Sequence, residues 1–266
     1  MLYGEKILRS LMLAGVEWEL KTIEVKVQNN SESFAFPKSV RPLSNSDILE
    51  IATRKAEDSD IITAIKSFSE HPLYKGAKNT VFPEISGEKI LVITDIPSSS
   101  DDKSGTILSG DEGELFDKMM SAIGLSRREI SITPLVFWRP AGGRTPTADE
   151  VSFCKPFIQK IIKQTKAHKI LTLGQTAAEA ICGAKLRRDH GKEIMITDSY
   201  HEAEESSEKE TAEKKLELNT QAKELSVKEL RAKELKVIPI YKPDFIIKNP
   251  NVKKAVWEAL KQIRDC

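Results

Sequence analysis

The chain has 266 residues, a formal net charge of +1 and ordinary apolar content (39%), enough for one large domain or two small ones with a real core. Near-neutral charge leaves a nucleic-acid partner to be decided by local clustering. Three scattered cysteines, Cys154, Cys182 and Cys266, with no CxxC and no Cys/His ligand spacing, give no sign of a disulfide framework or a zinc site and fit a reducing cytoplasm of bacterial type.

The opening stretch, "MLYGEKILRSLMLAG", lacks a long apolar core and a cleavage site, and reads as an amphipathic helix rather than a signal peptide. No segment is long and apolar enough to span a bilayer, so no membrane association is expected. Ser44-x-x-Asp47 marks a helix start, and the helix is predicted to run to about Phe68. Residues 1–70 thus form a helical extension.

From Lys89 the pattern changes. "KILVITD", "EISITPLVF", "HKILTLG" and "KVIPIY" are apolar runs ended by polar or turn residues, as in buried parallel strands. Between them lie helices: "GELFDKMMSAIG", the helix opened by the capping box Thr147-x-x-Glu150 with Cys154, Phe157, Ile158, Ile161 and Ile162 on one face, and "QTAAEAICG". A final helix carries Val252, Ala255, Val256, Ala259, Leu260 and Ile263. Alternating strands and helices predict an α/β fold, a three-layer αβα sandwich around a central four-stranded parallel sheet over residues 71–266. Residues 200–236, dense in both charges, read as an insertion that is a solvated helix or disordered and offers a surface to a protein partner.

In such folds ligands bind beyond the carboxyl ends of the strands. Four segments there carry candidate chemistry. In "ITDIPSSSDDKSG", Asp95 is either a carboxylate that activates water or a loop acid capping the next helix. In "FWRPAGGRTP", Arg139 and Arg144 either clamp a phosphate backbone or form surface pairs. "AKLRRDHGK" places Arg187 and Arg188 in a phosphate contact or a solvated turn. In "YKPDFIIKNP", Ile246 and Ile247 are a wedge for a base stack or pack under the last helix.

Taken together these segments resemble the uracil-DNA glycosylase superfamily, its family 4 type above all, from Phe68 to Arg264. "RPAGGRTPTADEVSFCKPF" is similar to the family's Arg-Pro-Pro-Gly-Asn-Arg-Thr-Pro segment and following helix, "LTLGQTAAEAICG" to its Leu-Gly-x-x-Ala helix start, and "YKPDFIIKNP" to its His-Pro-x-x-Leu-Leu-Arg-x-Pro. The resemblance implies DNA as partner, bound without sequence specificity, and base excision as activity. Its first motif, Gly-Glu-x-Pro-Gly with an acidic pair, is here Thr94-Asp95-Ile96-Pro97-Ser98 followed by Asp101 and Asp102. Asp95, Asp101 and Lys242, which replaces the motif histidine, would be the catalytic groups. Ile96, Pro97, Leu108 and Pro134 would line the base pocket, with Leu108 in place of a stacking aromatic and Pro134 in place of the asparagine that reads the base edge. Arg139, Arg144, Arg187, Arg188, Ile246, Ile247 and Lys248 would meet DNA.

Proline has no side-chain donor or acceptor and leucine no π-face, so weak or altered excision is expected, or a catalytically inactive DNA- or partner-binding protein. Lys242 would donate to a developing anion, attack the sugar as an amine, or touch phosphate at an abandoned pocket. The family's iron–sulfur ligands are replaced: His71 or a neighbour stands in the upstream segment, Trp138 precedes Arg139, and only Cys154 matches. Four thiolates are usual for a cluster, so none is expected.

Overall fold

The computed structural model describes residues 43–86, 90–197 and 234–264. The expected N-terminal amphipathic helix and nearly all of the charged insertion lie outside these residues.

Two helices open the described chain, α1 (Asn45–Asp58) and α2 (Ile61–Ser67). Ser44 and Asp47 form the expected capping box. The single long helix predicted here is divided because Asp60 starts a new one, its carboxylate accepting from the Ile62 and Thr63 amides. The sheet and its crossovers follow: β1 (Ile90–Thr94), α3 (Ser99–Ser104), α4 (Gly110–Ala122), β2 (Ile130–Pro134), α5 (Ala148–Ser152), α6 (Lys155–Thr165), β3 (Lys169–Leu173), α7 (Gln175–Cys182), α8 (Leu186–Asp189), β4 (Ile194–Thr197), β5 (Glu234–Ile240), α9 (Pro243–Lys248) and α10 (Lys253–Arg264). The helix expected after Thr147 is also two, α5 and α6, with Pro156 in the first turn of α6, where its missing N–H breaks no ladder bond.

Strand order is β2-β1-β3-β5-β4. The four predicted strands pair in parallel, in the register Thr94↔Pro134, Thr94↔Leu173 and Leu173↔Ile240 at their carboxyl ends. A fifth strand, β4, joins antiparallel to β5 at the edge. It was not anticipated because its apolar run, Ile194-Met195-Ile196, is only three residues long, too short to read as a strand. β5 begins at Glu234 rather than Lys236, recruited by pairing with β4.

Both faces of the sheet are covered. Leu91, Ile93, Ile170 and Val237 pack on one side with α1, α2, α6 and α7. Ile90, Val92, Leu171, Leu173, Ile238 and Ile240 pack on the other with Phe116 and Met120 of α4 and with Val256, Ala259, Leu260 and Ile263 of α10. Alternate strand residues thus feed opposite cores, which is why each strand reads as a continuous apolar run. Ala255, assigned to the buried face of α10, is exposed. Among the described residues no helix is long and apolar enough to cross a membrane.

Candidate active site at the carboxyl edge of the sheet

Asp95 is the first residue beyond β1. Its amide donates to the Leu173 carbonyl, and Leu135 N–H donates to Thr94 O, so three neighbouring strand ends are tied together around it. The Asp95 carboxylate turns to the start of α7, where Ala177 N–H donates to Oδ1 at 2.5 Å. Gly174 makes this approach possible. Its φ is +106°, and a Cβ there would lie 2.1 Å from Asp95 Oδ2. Although the residue is partly exposed, its carboxyl group is deeply enclosed. Burial raises its pKa to about 6, against the opposing pull of the Ala177 and Thr176 amides and the Lys242 charge.

Lys242 caps α9 and turns inward, its side chain 16% exposed. Nζ donates to the Ile96 carbonyl at 3.1 Å and stands 3.3 Å from Glu112 Oε2 in the first turn of α4. Glu112 was not singled out in the sequence; a first-turn acid on an exposed-looking helix carries no distinguishing signal. Arg139 Nη1 donates to the next carbonyl, Pro97 O, at 2.7 Å. Two cations from different loops therefore hold consecutive carbonyls of the loop after β1. Buried Pro134 ends β2 beside Thr94, at the floor of the same edge.

All of these positions lie inside the stretch that matches the sequence model of a known family. Residues 82–261 match the sequence model of the Uracil DNA glycosylase superfamily.

The chain belongs to that superfamily.

It is 33% identical over 127 residues to the type-4 uracil-DNA glycosylase of Pyrobaculum aerophilum, covering 47% of this chain and 64% of that protein. It is 32% identical over 124 residues to that of Archaeoglobus fulgidus (46% and 62%). To that of Sulfurisphaera tokodaii it is 27% identical over 178 residues (66% and 69%). The chain thus spans less than two thirds of the length of the first two of these relatives.

Measured against the family's motifs, two expected site residues are structural. Asp101 is 1% exposed: Oδ2 accepts from Ser98 N–H at 2.9 Å, and Oδ1 accepts from the Ser109 amide and hydroxyl at 2.7 and 2.8 Å. It caps α3 and anchors the next turn, and its burial and these three bonds hold it in a structural role. Leu108 is 2% exposed and packed in the core under α4, with φ +49° and its carbonyl accepting from Arg127 at 2.6 Å. It offers a base no surface. Ile96 and Pro97 do lie at the site, and both contribute carbonyls to the two cations.

The cationic rim expected of a superfamily member is largely internally paired. Arg144 makes two hydrogen bonds to Glu150, at 2.8 and 2.6 Å, and Glu150 itself caps α5 through Thr147. That pairing raises the Arg144 pKa and lowers that of Glu150. Arg188 pairs with Asp189 and Lys248 with Asp244, both at 2.9 Å. Arg187 is exposed and has no acidic partner among the described residues. The expected apolar pair is also divided. It lies on α9, not in a loop; Ile246 is 2% exposed and packs in the core with α10, so it is no wedge, while Ile247 is 46% exposed. One helical turn cannot point two successive residues the same way. Phe245, missed in the sequence, is the other exposed apolar residue of α9.

The iron–sulfur centre that the sequence resemblance implies does not fit the residues present. His71, Trp138 and Cys154 do converge, yet they form a packed aromatic cluster. The His71 and Trp138 rings lie 4.7 Å apart, with Phe68 and Phe153 around His71. His71 Nδ1 accepts from Leu73 N–H, so Nε2 carries the proton and faces Glu150 O at 3.0 Å and Cys154 Sγ at 3.5 Å. Full burial pushes the lone thiol far above its ordinary pKa, away from the thiolate a metal needs. Trp138 donates to Thr80 Oγ1 at 2.9 Å. Among the described residues no group of three His, Cys, Asp or Glu side chains is placed to hold a metal ion.

Proposed function

We propose that this chain binds DNA and excises a base weakly, without the uracil selectivity of its type-4 relatives. The observation that supports this most is Asp95: a carboxylate of raised pKa, at the family's motif position, sharing the carboxyl edge of the sheet with Lys242. With Asp95 ionised above about pH 6, it takes a proton from a water whose oxygen attacks C1′ of the deoxyribose. The C1′–N bond breaks, its electron pair leaves with the base, and Lys242 donates to the anion that forms. Lys242 serves as a donor rather than an attacking amine, since Nζ is already directed at Ile96 O and Glu112. Pro134 cannot read a base edge, which supports low selectivity. No step runs through an iron–sulfur cluster; the ring packing around His71 stands in its place.

The test is an excision assay on single-stranded and duplex oligonucleotides containing uracil and other damaged bases. Abasic product that disappears in Asp95→Ala supports the proposal. No product at high protein concentration refutes excision. It would favour a catalytically inactive DNA- or partner-binding member, for which the pairing of Lys242 with Glu112 is the specific support. Protein purified anaerobically should contain no iron and lack visible absorbance; stoichiometric iron would overturn the cluster statement.

A further inference from the structure

The last strand ends in a column of rings that the chemistry above does not use. His190, just after α8, stacks on Tyr241, with centroids 4.4 Å apart and planes 24° from parallel. Tyr241 stacks in turn on Phe245, at 4.8 Å and 22°. Parallel stacking across three residues from two separate segments is unlike the edge-to-face packing of Phe137 with Trp138 and Phe157 in the core. The column also has an open end. Phe245 is 42% exposed, and among the described residues no ring covers its second face.

Two features identify the occupant. Adjacent residues tie the column to the reaction edge: Tyr241 enters the stack while Lys242, next in the chain, reaches Ile96 O. Burial lowers the His190 pKa, so its ring is uncharged at neutral pH and stacks as an aromatic. Bases stack on exposed aromatic faces regardless of sequence, so the flat ring that fits the open face of Phe245 is a nucleobase.

We propose that Phe245 is the outer face of a stacking subsite for an unpaired nucleobase next to the reacting nucleotide. The inference rests on the reading that this chain acts on DNA. The subsite would favour single-stranded or locally opened DNA, in which a neighbouring base is free to leave its own stack. It also supplies a grip on DNA that the internally paired arginines do not.

The test uses the full chain and a labelled single-stranded oligonucleotide without uracil, with affinity followed by anisotropy. Phe245→Ala should weaken binding about tenfold, in the range of a lost base–aromatic stack. Phe245→Leu should weaken it as much, and Phe245→Trp should keep it and show indole quenching on binding. Because one face of Phe245 stacks on Tyr241, Phe245→Ala and Phe245→Leu should unfold at a modestly lower temperature, so binding is compared well below every transition, where circular dichroism shows all variants folded. An abasic spacer in the oligonucleotide should weaken binding to the parent but not further weaken binding to Phe245→Ala. Equal binding by Phe245→Leu and the parent would overturn stacking. Unchanged binding by Phe245→Ala with excision intact would overturn the subsite and leave the proposed function standing. No binding by the parent would overturn both.

Discussion

Replacing Asp95 with asparagine should stabilise the protein at neutral pH while abolishing excision. The native carboxyl has a pKa of about 6 against an ordinary value of 3.8. A carboxyl whose pKa is raised in the native state holds its proton longer there than in the unfolded chain. Between the two values the native protein carries the extra proton, so stability falls as pH rises through this window. A gap of roughly two units, at 1.36 kcal/mol each, makes the ionised carboxylate cost about 3 kcal/mol above pH 6. Asparagine keeps an oxygen for the Ala177 amide and carries no charge. Lys242 is not stranded by the change, because Glu112 remains beside it. Urea unfolding of parent and Asp95→Asn at several pH values from about 4 to 8 measures the effect. The parent should lose stability relative to the variant from about pH 4 to 6, and the variant should be more stable by up to about 3 kcal/mol beyond it. Parallel pH profiles, or a variant less stable than the parent at high pH, would refute the reasoning that burial rather than ion pairing governs Asp95. Excision by the parent should correspondingly fall as pH drops below about 6, where Asp95 is protonated and no longer a base.

Ile246→Ala should cost about 2–5 kcal/mol in chemical denaturation, since a buried side chain leaves a cavity, whereas Ile247→Ala should change stability by less than about 0.5 kcal/mol. Glu150→Ala should cost about 1–3 kcal/mol because it removes the α5 cap and leaves Arg144 unpaired, while Arg144→Ala, from the half-exposed side of the pair, should cost under about 1 kcal/mol. Because Arg144 lowers the Glu150 pKa, this pair's contribution should be lost as pH falls below 4.5, the reverse of the Asp95 trend. Gly174→Ala should destabilise by at least about 1–3 kcal/mol and displace Asp95 from the Ala177 amide, removing the fall in stability between about pH 4 and 6. A Gly174→Ala protein with the parent's pH profile would show that the close approach does not control Asp95.

The four parallel strands were legible because each is buried on both faces and so reads as an unbroken apolar run; β4, exposed along an edge, was not. The alternation of strands and helices puts Asp95, Pro134 and Lys242 at the carboxyl ends of the strands, and the motif order carries the family. The assignments that failed share a cause. Whether Asp101 is a free carboxylate, whether Leu108 faces a ligand, and which of Ile246 and Ile247 is exposed depend on partners distant in sequence or on one step of helical rotation. The same holds for Arg144 and Lys242, whose cationic character is visible in the chain but whose acids, Glu150 and Glu112, are chosen by folding. Sequence alone determined which residue types stand at the carboxyl edge. Tertiary structure alone decided which of those groups remain free to act, because burial and pairing are properties of the space between segments.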